Sequence, residues 1–278
     1  MGSVILMLGV TLCYTITSIS DKYAVSKAKF SGNEFTFLMC SSMSVFIALT
    51  LPFQKIHFTY SWHSFAAIFL VAVCKMLEFQ MSALVLKQLS AFELKAWLGI
   101  TMFASYFTDV FYGADIRAVK IICISVTAVG LVFIARSAKE SKTEYKKIIL
   151  PLVLYLASKY GYGLIIKSFS PYISSTVQLL PALIIISLII LARVSPAEIF
   201  RKNPEGAIKV TLARIPNAAG MLMENAVISI SLVNYSFIQP LILVALFIIG
   251  LIRKENHSTL NIVGGIICVI GVLFFQIV

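Results

Sequence analysis

Apolar and polar positions divide the chain into long apolar segments separated by short connections that hold most of the charges. A helix needs about 20 mostly apolar residues to cross the hydrocarbon core of a bilayer. Ten segments reach this length: 1–20, 31–53, 62–86, 89–112, 116–135, 148–167, 172–192, 207–227, 229–252 and 258–278. They are continuous apolar runs, whereas the strands of a membrane β-barrel alternate. The pattern predicts an all-α integral membrane protein with ten transmembrane helices.

A weak internal repeat relates the two halves of the chain. When the sequence is shifted against itself so that position 130 falls on position 271, the segment VKIICISVTAVGLVFI lies over LNIVGGIICVIGVLFF. We call this shift the repeat displacement. It aligns Ser90 with Ser231, Ile121 with Ile262, Gly130 with Gly271 and Phe133 with Phe274. Because each half would hold an odd number of helices, the second half enters the membrane from the opposite side. We therefore expect two inverted five-helix repeats, 1–135 and 148–278, joined by a charged linker at 136–147.

Composition agrees with a membrane location. The 278 residues are 59% hydrophobic and 13% charged, and the mean hydropathy is +0.95, whereas soluble domains are about a quarter charged. The net charge of +11 does not indicate a nucleic-acid partner, because the basic residues lie in the connections and form no patch with interleaved aromatics. The expected location is an integral, multi-pass one in a plasma or inner membrane, in contact with lipid.

The basic residues are unevenly divided between the connections. Even-numbered connections carry only Lys55, Arg117, Lys120 and Lys167, and the odd-numbered ones carry most of the remaining basic residues. The positive-inside rule then places the odd connections in the cytoplasm and both termini outside.

The second half also carries a resemblance to a known family. Its run FIQPLILVALFIIGLIRKENHSTLNIVGGIICVIGVLFF holds a proline-bearing helix, a short acidic turn and a glycine-bearing helix, at Pro240, Glu255, Gly264, Gly265 and Gly271. This order resembles the drug/metabolite transporter superfamily, EamA type. The first half has a weaker version, with Gly99, Asp115 and Gly130. The resemblance implies transport of amino acids, quaternary amines, nucleotide sugars, phosphorylated sugars or drugs. It also implies cytoplasmic termini, against the loop charges, so orientation and import or export stay open.

Charged side chains inside the predicted helices are the first candidates for a binding site, since burying them in a membrane is costly. Lys75 and Glu78 share one face of the third helix, which continues to Ser82. This spacing predicts an internal ion pair, a face that lines a substrate cavity, or both. Lys159 lies near the middle of the sixth helix, too far from either end to reach water easily, with Tyr155 and Tyr162 on its face.

The eighth predicted helix is the most polar of the ten. Arg214, Asn217 and Asn225 lie on one stripe, and Pro216 with the small residues after it permits close packing or a break. Such a helix is expected to face a wet interior, where transporters bind substrate. Lys95, Gln178 and Gln239 complete the predicted binding residues. Lys95 has snorkelling to the interface as an alternative role, as has Glu224 near the end of its segment.

The signs of these groups favour a zwitterionic substrate. Lysine and arginine side chains accompany glutamates, so an amino acid or another zwitterion would satisfy both. We expect a secondary active transporter that works by alternating access, with proton coupling through Glu78 or exchange both open. The alternatives are an organophosphate, nucleotide-sugar or quaternary-amine transporter of the same fold, or a lipid flippase. Neither enzyme activity nor a metal or cofactor is expected, and a monomer and a homodimer are both possible.

Overall fold

The computed structural model of the chain describes residues 2–89, 94, 97–137, 145–252 and 259–277. Within those residues the fold is all-α, and the one pairing of extended backbone is an isolated antiparallel bridge between Phe58 and Ile173. This confirms the predicted all-α class.

The α-helices are numbered here in chain order. They are α1 Gly2–Ser26, α2 Gly32–Thr50, α3 Trp62–Val85, α4 Thr101–Phe111, α5 Ala118–Ser137, α6 Tyr145–Phe169, α7 Ser175–Leu191, α8 Pro196–Lys202, α9 Pro204–Leu212, α10 Arg214–Ile230, α11 Leu232–Ile252 and α12 Thr259–Ile277. A short 3-10 helix, Leu51–Phe53, follows α2.

Several helices are suited to a membrane. Among the described residues, four are long and apolar enough to cross one: Gly2–Ala24, Gly32–Phe53, Trp62–Val85 and Lys147–Phe169. A fifth span results if α7 and α8, which are bent by 79° at their junction, are one broken span. Large apolar side chains lie on the outside, such as Leu12 (68% exposed), Leu188 (62%) and Leu273 (57%). An exterior of this kind indicates a membrane protein. The count of ten spans remains a prediction.

The segment predicted as one helix over 207–227 is divided in the structure. Helix α9 ends at Leu212 and α10 begins at Arg214, with Ala213 between them. The proline at position 216 has no N–H with which to bond the carbonyl of Leu212 four residues earlier. The break therefore lies just before Pro216 and not at the small residues that follow this proline.

The polar connection over 195–209 is also largely helical. Pro196 and Pro204 each occupy the first turn of a helix, where the missing N–H costs no hydrogen bond. The side chain of Asn203 caps α9 by accepting a bond of 2.9 Å from the N–H of Gly206. The connection between the seventh and eighth predicted segments therefore consists mainly of two short helices.

The helices pack in pairs that connect the two halves of the chain. Helix α1 packs along α10, α3 along α6, α2 along α7, and α5 along α12. Each contact joins a helix before position 138 to one after position 144. The most extensive helix packing consequently lies between the two halves.

Helices α5 and α12 approach most closely at Gly130 and Gly271. A Cβ on Gly130 would lie 2.7 Å from the carbonyl oxygen of Gly264 and 2.8 Å from the Cys268 sulfur. A Cβ on Gly271 would contact the Thr127 hydroxyl and lie 3.0 Å from the carbonyl oxygen of Cys123. The repeat displacement, which takes Gly130 to Gly271, also takes Cys123 to Gly264 and Thr127 to Cys268. The contacts are therefore reciprocal, although the inverted repeat itself remains a prediction.

Candidate functional site

Four charged side chains meet in the interior and form what we call the charge cluster: Lys75 and Glu78 of α3, Lys159 of α6 and Glu224 of α10. The Lys159 ammonium lies 3.2 Å from Oε1 of Glu78 and 3.1 Å from Oε1 of Glu224. Lys75 lies 2.7 Å from Oε2 of Glu78, which confirms the predicted ion pair within α3. The exposed fraction of each residue is at most 7%.

Helix geometry explains how these groups come together. Lys75 and Glu78 are three residues apart and so lie on the same face of α3. That face packs against α6, which supplies Lys159, and α6 in turn contacts α10, which supplies Glu224. Two lysines and two glutamates have a net formal charge of zero. A neutral, fully paired set is the arrangement in which buried charges are tolerated.

Tyrosines surround the charge cluster. The Tyr14 hydroxyl donates a bond of 2.5 Å to Oε2 of Glu224. The Lys75 ammonium lies 3.7 Å from the centre of the Tyr162 ring, close enough for a cation–π contact. The Tyr235 hydroxyl bonds the backbone carbonyl of Lys159 at 3.0 Å. Together these contacts hold the lysines and glutamates in place.

A cavity of about 80 Å³ borders the charge cluster, and we call it the central cavity. It is lined by Tyr14, Thr17, Ser18, Asp21, Met39, Glu78, Phe79, Ser82, Leu86, Leu94, Tyr155, Lys159, Asn217, Met221 and Gln239. Oε1 of Gln239 is buried without a hydrogen-bond partner in the described part of the chain. Buried polar atoms are rarely left unpaired. The cavity wall therefore offers charged and polar groups to a small polar molecule.

A second ion pair supports the wall of the central cavity. Arg214, fully buried at the start of α10, lies 2.5 Å from the Asp21 carboxylate of α1. Its Nε also donates to the carbonyl of Val210 at 3.1 Å. Asp21 lines the cavity, whereas Arg214 stands behind it. This pair also adds no net charge.

A larger cavity of about 600 Å³, the end cavity, lies toward the opposite ends of α1, α6 and α10. Its lining includes Leu6, Lys55, Ser174 and Asn225. Asn225 accepts a bond of 2.6 Å from the Tyr162 hydroxyl, and Tyr162 contacts Lys75. The charge cluster and its tyrosines thus stand between the two cavities.

The structure assembles most of the residues selected from the sequence. Glu78, Tyr155, Lys159, Asn217 and Gln239 line the central cavity. Lys75, Tyr162, Arg214 and Asn225 lie behind its wall, in contact with the groups described above.

Two of the selected residues do not join them. Gln178 lies near the start of α7, where its Nε2 donates to the carbonyl of Ile173 at 3.0 Å, and it does not line the central cavity. Lys95 falls outside the described residues.

The sequence-based selection did not include Glu224, Tyr14, Asp21 or Tyr235, which the structure places in the site. Glu224 was set aside as near the end of its segment, but α10 continues to Ile230 and the side chain is fully buried. Tyr14 aligns with the selected Tyr155 under the repeat displacement, so the internal repeat contained the signal for it. Asp21 is the partner that a buried Arg214 requires.

Comparison of the sequence with models of known protein families gives no match, and comparison with curated proteins gives none either. The geometry of the charge cluster and the central cavity is therefore the basis for the proposed function.

Proposed function

We propose that the chain is a secondary active transporter that moves a small zwitterionic metabolite, such as an amino acid, across a membrane by alternating access. The observation that carries this proposal is the neutral charge cluster beside the central cavity, inside a bundle with an apolar exterior. Ionisable groups in such a position are costly, and in membrane proteins they usually mark a substrate or ion pathway.

The proposed architecture is ten transmembrane helices in two inverted repeats. Two kinds of contact support it. Contacts between α5 and α12 are reciprocal under the repeat displacement. The same displacement takes α1 to α6 and α3 to the α9–α10 region, and α1 packs on α10 as α6 packs on α3. Inverted repeats of this kind bind substrate at the repeat interface.

The charge balance favours a substrate without net charge. All four members of the charge cluster and both members of the Asp21–Arg214 pair have a partner of opposite sign. An organophosphate would need surplus positive charge and a quaternary amine surplus negative charge, and the paired groups supply neither. A lipid flippase would need a lateral opening for a headgroup. Exchange and proton coupling are both compatible with the proposal.

Transport by the purified protein in liposomes tests the proposal. Vesicles loaded with an unlabelled amino acid should accumulate the labelled one by counterflow, and Lys159→Ala should abolish this while Lys120→Ala does not. A pH gradient applied to vesicles without internal substrate separates proton coupling from exchange. A nucleotide sugar, a phosphorylated sugar, choline and a fluorescent phospholipid serve as competing substrates. Transport of one of these in place of every amino acid would reject the zwitterion proposal.

A further inference from the structure

The Lys159 ammonium occupies a position that has the features of an amine-binding site. Carboxylate oxygens of Glu78 and Glu224 lie 3.2 Å and 3.1 Å from it. The rings of Tyr14 and Tyr235 have their centres 5.6 Å and 5.8 Å from the same nitrogen. Carboxylates and electron-rich ring faces are the groups that bind an ammonium ion in proteins.

The two carboxylates are held in place by groups other than Lys159. Oε2 of Glu78 is paired with Lys75 at 2.7 Å, and Oε2 of Glu224 accepts the Tyr14 hydroxyl at 2.5 Å. If the Lys159 ammonium moved away, the two Oε1 atoms would therefore remain directed at the same point. The site would persist without its lysine.

Lys159 is also the lysine that has room to move. It lines the central cavity, whereas Lys75 does not and its ammonium stays against the Tyr162 ring at 3.7 Å. A lysine side chain is a flexible four-carbon chain with a compact charge at its end. Lys159 can therefore swing its ammonium toward the cavity while the backbone of α6 stays in place.

We propose that Lys159 is a built-in occupant of an ammonium subsite formed by Glu78, Glu224, Tyr14 and Tyr235. A substrate amino group takes the place of the Lys159 ammonium between the two carboxylates, and the displaced ammonium pairs with the carboxylate of the same substrate. This inference rests on the proposed function and specifies a primary amine that carries an acid group. Without substrate, Lys159 and Lys75 together neutralise the two glutamates.

The net charge of the cluster predicts which ligand charge each protein prefers. A substitution that changes the net charge should therefore change the preferred ligand. In the parent protein a zwitterion inserts with no change in net charge, whereas an amine alone leaves an extra positive charge and an acid alone an extra negative one. In Lys159→Ala the cluster has a net charge of −1, so an amine alone restores neutrality. In Glu224→Gln the net charge is +1, so an acid alone does so.

Glycine, methylammonium and acetate are matched probes. Methylammonium carries the ammonium group of glycine, and acetate carries its carboxylate group. Each is titrated at constant ionic strength against the purified parent, Lys159→Ala, Glu224→Gln and Lys120→Ala, with the melting temperature as the readout. We expect glycine to stabilise the parent and Lys120→Ala, methylammonium to stabilise Lys159→Ala, and acetate to stabilise Glu224→Gln. Each rise should be about 2–4 °C at a concentration near ten times the dissociation constant.

The subsite would be overturned if methylammonium raised the melting temperature of all four proteins equally. It would also be overturned if methylammonium left the melting temperature of folded Lys159→Ala unchanged. Lys159→Ala is purified with and without methylammonium. Folding only with the amine supports the subsite, and misfolding under both conditions counts against it. A methylammonium effect confined to Lys159→Ala, together with no amino-acid counterflow by the parent, would keep the ammonium subsite and reject the transport proposal. Amino-acid counterflow by the parent, together with no methylammonium effect on Lys159→Ala, would reject the subsite alone.

Discussion

Asp21 and Arg214 form an ion pair in which the two partners are buried to different extents. The atoms lie 2.5 Å apart, and the Arg214 side chain is fully buried whereas Asp21 keeps 22% of its side chain exposed. Removing one partner of a buried pair leaves the other charge without compensation. The two removals should therefore have unequal effects, because the central cavity can hydrate Asp21 but the interior cannot hydrate Arg214.

We expect Asp21→Asn to be the more harmful change. It leaves the buried guanidinium without a counter-charge and should lower the free energy of unfolding by about 3–5 kcal/mol. Arg214→Met fills the same space with an apolar side chain and should cost less. Thermal unfolding of the purified variants in detergent measures both. Lys209→Ala removes an exposed ion pair with Glu205 and should change nothing measurable. Equal losses of unfolding free energy in Asp21→Asn and Arg214→Met would contradict this account.

Asp109 connects α4 to the start of α11. Its carboxylate accepts bonds from Lys167, from the Ser231 hydroxyl at 2.7 Å and from the N–H groups of Leu232 and Val233 at 3.0 Å and 2.9 Å. It thus satisfies N–H groups that a helix start leaves without partners. We expect Asp109→Ala to cost about 2–4 kcal/mol of stability, because buried donors lose their acceptor.

Lys167→Ala is the matched control for this prediction. It removes one partner of Asp109 and leaves the carboxylate with three donors. Urea or thermal unfolding should show a smaller loss than for Asp109→Ala. If Lys167→Ala were the more destabilising variant, the role of Asp109 would be chiefly that of an ion-pair partner and not of a helix cap.

Gly130→Ala should weaken the packing of α5 against α12. The new Cβ would lie 2.7 Å from the Gly264 carbonyl oxygen, which is backbone and cannot move aside by a rotamer change. Overpacking of this kind costs about 1–3 kcal/mol. Gly32→Ala is the control, because a Cβ there meets only the Cβ of Ala83 at 3.9 Å. A melting temperature for Gly130→Ala equal to that of Gly32→Ala would exclude the close contact.

The part of the site that could be predicted from the sequence is the part that depends on neighbouring turns of one helix. Lys75 and Glu78 are three residues apart, so their pairing followed from helical spacing alone. Lys159 was selected because no helix end is near it. In both cases the residues on either side along the chain were sufficient for the prediction.

The partners of these groups could not be predicted in that way. Tyr14 and Glu224 are 210 residues apart in sequence and meet only because α1 packs along α10. Gln178 carried the same local signal as Gln239, a glutamine near a proline in an apolar run, yet only Gln239 lines the central cavity. Which of two similar residues faces a cavity depends on helix rotation, which helix–helix packing sets.

Tyr155 gives the most direct test of the central cavity as a substrate site. Its side chain lines the cavity and makes no hydrogen bond within the described part of the chain. Tyr155→Phe therefore removes no internal bond, and the melting temperature should stay within about 1–2 °C of the parent value. If the hydroxyl bonds the substrate, its loss costs about 1–1.5 kcal/mol of binding, which lowers the apparent affinity in counterflow by about 5–10-fold.

Tyr14→Phe separates this effect from a general loss of structure. The Tyr14 hydroxyl donates to Glu224, so its removal leaves a buried carboxylate oxygen without its donor and should lower both the melting temperature and the affinity. The two tyrosines are equivalent under the repeat displacement and line the same cavity, but only one of them supports the charge cluster. If Tyr155→Phe leaves the affinity unchanged, the Tyr155 hydroxyl does not bond the substrate. The substrate would then lie away from this wall of the central cavity.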